Sequence, residues 1–297
     1  MKAMVLERPN LMALKMVEDL HPKVGEVLIK TTHAGICGTD TKIYEGKIPA
    51  NYPLVMGHEI VGEVIDGDTN GLVKPGARVL VDPVLYCGTC FHCKQGDTNL
   101  CPNGGIMGRE VNGGFADYCI AKTSHIYPLP DELDSKTGAA IQVLTTVLHA
   151  QNKGNLANGD AIIVSGLGVT GLMHIQLAKA RGAKVVVGTS RNAHKREMAL
   201  ALGADYAVSH GEEAKKTILE VTKGIGADMV IECVGNLSML AEAIDLARLG
   251  GKIVPFGIYP SGQAELPFYD FYFKELQIIN VRAAKGHDFG ACIDLVS

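Results

Sequence analysis

The sequence of 297 residues predicts an α/β protein in two parts. An antiparallel β part comes first, and a doubly wound parallel sheet follows. Three observations carry this. Up to about residue 150 the apolar stretches are short and cut by glycine and proline, as in Lys74-Pro75-Gly76. From Gly159 onward, strand-like and helix-like stretches alternate. Where the second pattern begins, the glycine-rich run 165–171 lies between a β-rich stretch and a helical one.

The elements follow in order. Stretches 27–29, 60–65, 78–81 and 116–120 read as short strands. Helical spacing first appears over 135–151, where Ala140, Leu144, Val147 and Leu148 recur on one face. Strands are then expected at 161–165, 184–187, 207–209, 228–232, 252–256 and 277–281. Helices at 169–181, 193–202, 213–222 and 238–249 fill the gaps. Such alternation makes a parallel sheet covered on both faces. The change of pattern puts the domain boundary near residues 150–160.

Composition narrows the function. The formal charge is 28 − 32 = −4, so no basic field exists to hold a nucleic-acid backbone. No apolar run reaches the ~18–20 residues that span a bilayer, and the first ten residues lack a signal-peptide core. A cytoplasmic location is expected, with no membrane partner. Eight cysteines in a reducing compartment read as thiols or metal ligands rather than disulfides.

Four of those cysteines stand together. Cys87, Cys90 and Cys93 are separated by two residues each, and a seven-residue spacer leads to Cys101. Two-residue spacers let a tight turn aim successive thiolates at one point, and the longer spacer returns the fourth. Gly88 and Gly96 ease the turning. Four sulfurs make a closed, structural zinc site with no open position, although an iron–sulfur cluster uses the same ligands. His92 lies inside the loop and is expected at the surface. A zinc-module nucleic-acid binder is a poor reading, because Lys94 is the loop's one basic residue. Cys119, Cys233 and Cys292 are expected to be packed thiols.

Further motifs occur in a fixed order. Gly35-Ile36-Cys37-Gly38-Thr39-Asp40 comes first, then Gly57-His58-Glu59, then the four-cysteine loop, then Gly113-Gly114-Phe115-Ala116, then the glycine-rich run. Over nearly all of its length the chain resembles the zinc-dependent medium-chain dehydrogenases, the group of alcohol, sorbitol, threonine and glucose dehydrogenases. The resemblance implies a GroES-like β-barrel domain over 1–152 and a Rossmann domain over 153–285. It implies that 286–297 begins a helix which leads back to the barrel, with the returning segment absent. Reduced stability and an exposed apolar patch on the barrel are the expected consequences.

The resemblance also implies a site. Cys37 and His58 would hold a catalytic zinc, with Glu59 as a ligand or an exchanging neighbour. Gln142 stands where related chains carry glutamate, as a fourth ligand or an outer neighbour. A thiolate, an imidazole and an amide leave the ion a formal charge of +1, which polarises a bound oxygen more than a neutral set would. Asp40 would accept from the other His58 nitrogen and fix the tautomer, or else cap a turn. Thr39 would take the alcohol proton, since a hydroxyl both accepts and donates. Lys42 replaces the histidine that often ends this proton relay. Lys42, Tyr44, Phe91 and Met107 are candidate pocket walls.

The run Ser165-Gly166-Leu167-Gly168-Val169-Thr170-Gly171 reads as a dinucleotide fingerprint. Gly166 permits the turn, Gly168 lets backbone approach a pyrophosphate, and Gly171 lets helix pack on strand. Leu167 and Val169 complete the loop whose amides meet the phosphates. About twenty residues on, where an acid would select NAD, the chain reads Gly188-Thr189-Ser190-Arg191-Asn192. Ser190, Arg191 and Lys195 suit a phosphate, so NADP is expected over NAD. His210 is expected near the adenine. The leading expectation is a zinc alcohol dehydrogenase that moves hydride reversibly between a secondary alcohol or polyol and NADP(H). It would carry one catalytic and one structural zinc, in a dimer or tetramer. The alternative is an impaired NADP-binding or zinc-scaffold remnant.

Overall fold

The computed structural model describes residues 1–259 and 265–297. The chain forms two compact units. One is Met1–Thr146 with Ala283–Ser297, and the other is Val147–Arg282.

The first unit opens with β1 (Lys2–Arg8), β2 (Leu11–Met16), β3 (Glu26–Gly35) and the short helix α1 (Gly38–Tyr44). β4 (Leu54–Val55), β5 (Glu59–Gly67), β6 (Arg78–Val81), β7 (Val84–Leu85) and α2 (Phe91–Lys94) follow. β8 (Gly105–Ile106), β9 (Tyr118–Lys122) and β10 (Ile126–Pro128) precede α3 (Ser135–Lys153), within which the division of the chain falls. The main sheet has five antiparallel strands in the order β10-β6-β5-β3-β9. Alternate residues Val27 and Ile29 of β3 meet Ile60, Val64, Val79, Val81, Cys119 and Ala121 in one core. Short apolar runs between glycine and proline turns, such as Val79-Leu80-Val81 of β6, are what made these strands legible. β3 runs on to Gly35, well past the expected 27–29. Its continuation Thr31-Thr32-His33 is polar and irregular, and pairing with β5 holds it extended.

The second unit is built from β11 (Ala161–Ser165), α4 (Val169–Ala180), β12 (Val185–Thr189), α5 (Ala193–Ala201), β13 (Tyr206–Val208) and α6 (Glu212–Val221). β14 (Ala227–Glu232), α7 (Leu237–Leu246), β15 (Ala247–Pro255), α8 (Phe268–Phe273) and β16 (Gln277–Ile278) complete it. All six strands are parallel, in the order β13-β12-β11-β14-β15-β16. The order reverses between β11 and β14, which opens a crevice at their carboxyl ends. Ile162, Ile163 and Val164 are each 0% exposed, as strands covered on both faces must be. The helix expected over 238–249 ends earlier, at Leu246. β15 takes the next residues: Ala247 pairs with Ala227, and the register then jumps to Lys252 opposite Met229. Gly250, at φ 66°, and Gly251 make the bulge.

The last helix, α9 (Gly286–Val296), groups with the first unit. Phe289 is fully buried and stacks on Tyr127, centroids 5.0 Å apart. The Tyr127 hydroxyl donates to the Gly286 carbonyl at 2.8 Å. Lys285 Nζ meets Asp97 Oδ1 at 2.5 Å, which ties this helix to the four-cysteine loop.

Candidate metal and dinucleotide sites

Strand pairing assembles the first site. In the β3–β5 register Gly35 stands opposite Glu59. Cys37 lies two residues past the end of β3, and His58 lies one residue before the start of β5. Residues 21 positions apart in sequence thus converge at one end of the main sheet. The ligand atoms of Cys37, His58 and Glu59 all lie within 4.8 Å of one another. Gly35 is required here, because a Cβ on it would fall 1.9 Å from Glu59 Oε2. The carboxylate fills the place of the missing side chain.

Asp40 does two things. One oxygen accepts from the Cys37 N–H at 2.8 Å and closes the first turn of α1. The other faces His58 Nδ1 at 3.3 Å, and both atoms are buried without another partner. Nδ1–H turned toward a carboxylate leaves the Nε2 lone pair available, which is the ligating tautomer. Asp40 and His58 are 2% and 4% exposed. Burial opposes charge on His58, yet Asp40 and Cys37 more than offset it and raise the imidazole to about 10. Burial also raises Glu59. A pocket holding a sulfur and two carboxylates around one imidazole calls for positive charge. Zinc, with bonds of about 2.0–2.3 Å to S, N and O donors, fits this set after small side-chain closure. Gln142 is buried on α3, and Thr39 is half-buried on α1.

The second cluster is local. The Cys87–Cys93 sulfur separation is 3.9 Å, Cys90–Cys93 is 3.5 Å and Cys90–Cys101 is 3.9 Å. Four sulfurs at ~2.3 Å from one ion in a tetrahedron stand about 3.8 Å apart. A disulfide needs about 2.05 Å, and all eight cysteines are unpaired. The Cys90 N–H donates to Cys87 Sγ at 3.3 Å and the Cys87 N–H to Cys101 Sγ at 3.4 Å. Amides of Thr89 and Cys90 and the Thr89 hydroxyl lower the Cys87 thiol to about 5, so it serves as a thiolate.

The glycine-rich turn lies between β11 and α4. Gly166 has φ 93°. A Cβ on Gly171 would lie 1.9 Å from the Gly166 carbonyl oxygen, so this helix packs where only glycine fits. A Cβ on Gly168 would meet nothing within 4 Å, which leaves backbone open to approach. Gly168 is the N-cap of α4 and offers no side-chain acceptor to the amides of the first turn. Those donors suit a pyrophosphate. The Leu167 side chain is buried in the core, so only its backbone faces that space, whereas Val169 is exposed. The turn therefore fits a dinucleotide.

At the end of β12, Thr189 and Ser190 are buried and Arg191 is exposed. The Asn192 side chain accepts from the Lys195 N–H, and no acid stands in the first turn of α5. His210 Nδ1 lies 2.9 Å from the Thr189 hydroxyl and 3.9 Å from Glu242. Burial lowers its basicity. Sequence reasoning passed over Glu232, which ends β14 fully buried. An acid closing the apolar run Met229-Val230-Ile231 was the available signal.

The comparisons agree across the chain. The family model for the alcohol dehydrogenase GroES-like domain matches residues 23–131, and that for zinc-binding dehydrogenase matches 169–297. A sorbitol dehydrogenase of Halalkalibacterium halodurans is 32% identical over all of this chain and 88% of its own length. This chain belongs to the zinc-type medium-chain dehydrogenases. Members of that family are oxidoreductases acting on CH–OH, and this chain is one of them. A zinc-binding dehydrogenase of Sinorhizobium meliloti 1021, bound to NADP, superposes with TM-score 0.90 at 31% identity, over 99% of this chain and 87% of that one. An alcohol dehydrogenase of Escherichia coli CFT073, complexed with NADH, gives 0.92 at 30% identity over the same shares. The fold is thus a GroES-like domain with a Rossmann-like parallel sheet. Among the described residues no helix is long and apolar enough to cross a membrane.

Proposed function

We propose that this dehydrogenase oxidises a secondary alcohol or polyol reversibly with NADP(H), and that it holds one catalytic and one structural zinc. The carrying observation is the cluster of Cys37, His58 and Glu59 around one point, with Asp40 behind the imidazole. Three donors leave coordination open, unlike the four sulfurs of the loop. Zinc bound there supplies a Lewis acid that polarises the substrate oxygen. The dinucleotide supplies the hydride acceptor.

Cys37 and His58 hold the ion, and Asp40 holds His58 in its ligating tautomer. Glu59 and Gln142 are the candidates for further coordination. The Thr39 hydroxyl accepts the proton from the alcohol oxygen and passes one onward. A dinucleotide held by the glycine-rich turn would supply the acceptor for the hydride that the carbinol carbon gives up as its bond to oxygen becomes double. One hydride and one proton depart, so the alcohol becomes a ketone. Gly166, Gly168 and Gly171, with Leu167 and Val169, cradle the dinucleotide. Ser190, Arg191 and Lys195 favour the 2′-phosphate, since no carboxylate ends β12 to bind a bare ribose. The unpaired cysteines suit a reducing compartment, and the cytoplasm is the proposed location.

The test is metal content per chain with a panel of alcohols and polyols under both nicotinamide cofactors. Two zinc equivalents are expected, with turnover faster on NADP⁺. Cys37→Ala is expected to lose one equivalent and all measurable turnover. Unchanged metal content in that variant overturns the assignment.

A further inference from the structure

A buried acid at the carboxyl end of β14 has no part in the chemistry above. Glu232 is 0% exposed. Its Oε1 accepts from the N–H groups of Val234 at 2.7 Å and Gly235 at 3.2 Å. Its Oε2 accepts from the Gly235 N–H at 3.0 Å and from the Tyr259 hydroxyl. Its backbone carbonyl accepts from Phe256 and Gly257, each at 2.8 Å. One residue therefore binds two turns, 233–236 after β14 and 256–259 after β15.

The two turns interlock. A Cβ on Gly257 would fall 2.1 Å from Gly235 N, and one on Gly235 would fall 2.6 Å from the Ile258 carbonyl oxygen. Gly235 stands at φ 76°, a conformation glycine adopts freely. Burying a carboxylate is costly unless its lone pairs are satisfied, and here both oxygens are. A fully satisfied buried network rigidifies what it joins.

The stapled turn abuts the dinucleotide turn. The Cys233 N–H donates to the Ser165 carbonyl at 2.8 Å. Val234 Cγ2 would lie 2.6 Å from a Cβ on Gly166, so the two turns are in close contact. β11 and β14 are neighbours where the strand order reverses, the place where sheets of this class bind ligands.

We propose that Glu232 is a positioning residue for the dinucleotide: it holds the Val234–Gly235 turn against Gly166 and so fixes one wall of that site. The inference rests on the dinucleotide-binding reading above. It is tested on the zinc-loaded chain by fluorescence titration with NADPH and NADH, beside metal content, melting temperature and steady-state kinetics. Tyr259→Phe removes one charge-assisted bond and is expected to weaken dinucleotide binding about threefold. Glu232→Ala is expected to weaken it about tenfold or more, mainly in cofactor KM rather than kcat, with metal content unchanged. Glu232→Gln restores binding to within about threefold of wild type, because the amide oxygen accepts from the turn and its NH₂ donates to the Tyr259 oxygen. Binding within about twofold of wild type in all three variants, with only the melting temperature lowered, overturns the inference. If Glu232→Ala does not fold, Tyr259→Phe and Glu232→Gln decide it by the same criteria. A wild-type chain that binds neither dinucleotide overturns the dehydrogenase reading, and this inference with it.

Discussion

The two cysteine-bearing clusters differ in how the chain builds them. Cys87, Cys90, Cys93 and Cys101 span fifteen residues, and the loop between them can close on an ion by local turns. Cys37, His58 and Glu59 meet only because β3 and β5 pair in the register that sets Gly35 against Glu59. The local cluster is steadied by its own amides. The distant one is backed by a buried carboxylate, Asp40. A closed sulfur set suits structure, while an incomplete mixed set backed by charge suits chemistry. The first cluster helps form its fold, whereas the second depends on a fold already made.

The largest expected effect is a double dissociation between them. His58→Ala should lower turnover by about 10³-fold or more, since the ion it holds contributes several kcal/mol to the reaction. Its melting temperature should fall less than in the loop variant Cys101→Ala, because the sheet forms without the ion although Asp40 and Glu59 lose a buried partner. Cys101→Ala should do the reverse, lowering the melting temperature by about 10 °C, since structural zinc binding is folding energy. Its remaining folded protein should turn over near the wild-type rate at low temperature. Calorimetry beside steady-state kinetics reads both. Equal losses of stability and turnover in the two variants would erase the distinction.

The same contrast explains what could be read from residue order. The four-cysteine spacing states its own geometry, so the loop was legible alone. Cys37 and His58 carry no such signal singly, and only their place in an ordered series of motifs singled them out. The alternation behind the parallel sheet was legible because strands buried on both faces read as apolar runs. The start of β15 was not, since Ala247 to Leu249 continue a helical apolar pattern and only the Gly250-Gly251 bulge breaks it. Asp40 is legible in sequence as a partner of His58 or as a turn cap, and the structure has one side chain making both contacts. Glu232 stayed silent because its partners lie on two turns joined by tertiary structure.

A smaller effect concerns the backing of the loop cluster. Asp97 of that loop pairs with Lys285, at the start of α9. Asp82 is fully buried nearby, with Oδ1 accepting from the Val84 N–H and Oδ2 3.9 Å from where a Cβ of Gly286 would be. Burial, with Asp288 adding to it, raises Asp82 from 3.8 to about 7. Between those values the folded chain keeps a proton that the unfolded chain has released. Stability from this residue is therefore complete below about pH 4, falls as pH rises and levels off above about pH 7. Asp82→Asn keeps the bond to Val84 and removes the titration. Its stability relative to wild type should improve by about 2–3 kcal/mol between pH 5 and pH 8, at ~1.4 kcal/mol per pH unit. Urea unfolding at the two pH values checks this, and a parallel response of the two chains would show that Asp82 does not titrate in the window.

The smallest effect sharpens the contrast most, because it separates charge from architecture at a single residue. Asp40→Asn leaves an oxygen able to accept from the Cys37 N–H, so the turn of α1 closes as before and the melting temperature should not move. What changes is the group facing His58 Nδ1, an amide in place of a carboxylate. The imidazole then loses the partner that fixes its tautomer and adds to its basicity. Metal affinity at the open cluster should fall about 10- to 100-fold, while the four-sulfur cluster keeps its ion. Competition with a chelator measures the two zinc equivalents separately. If both equivalents leave at wild-type chelator concentrations, Asp40 closes a turn and nothing more, and the contrast between a backbone-steadied cluster and a charge-backed one is lost.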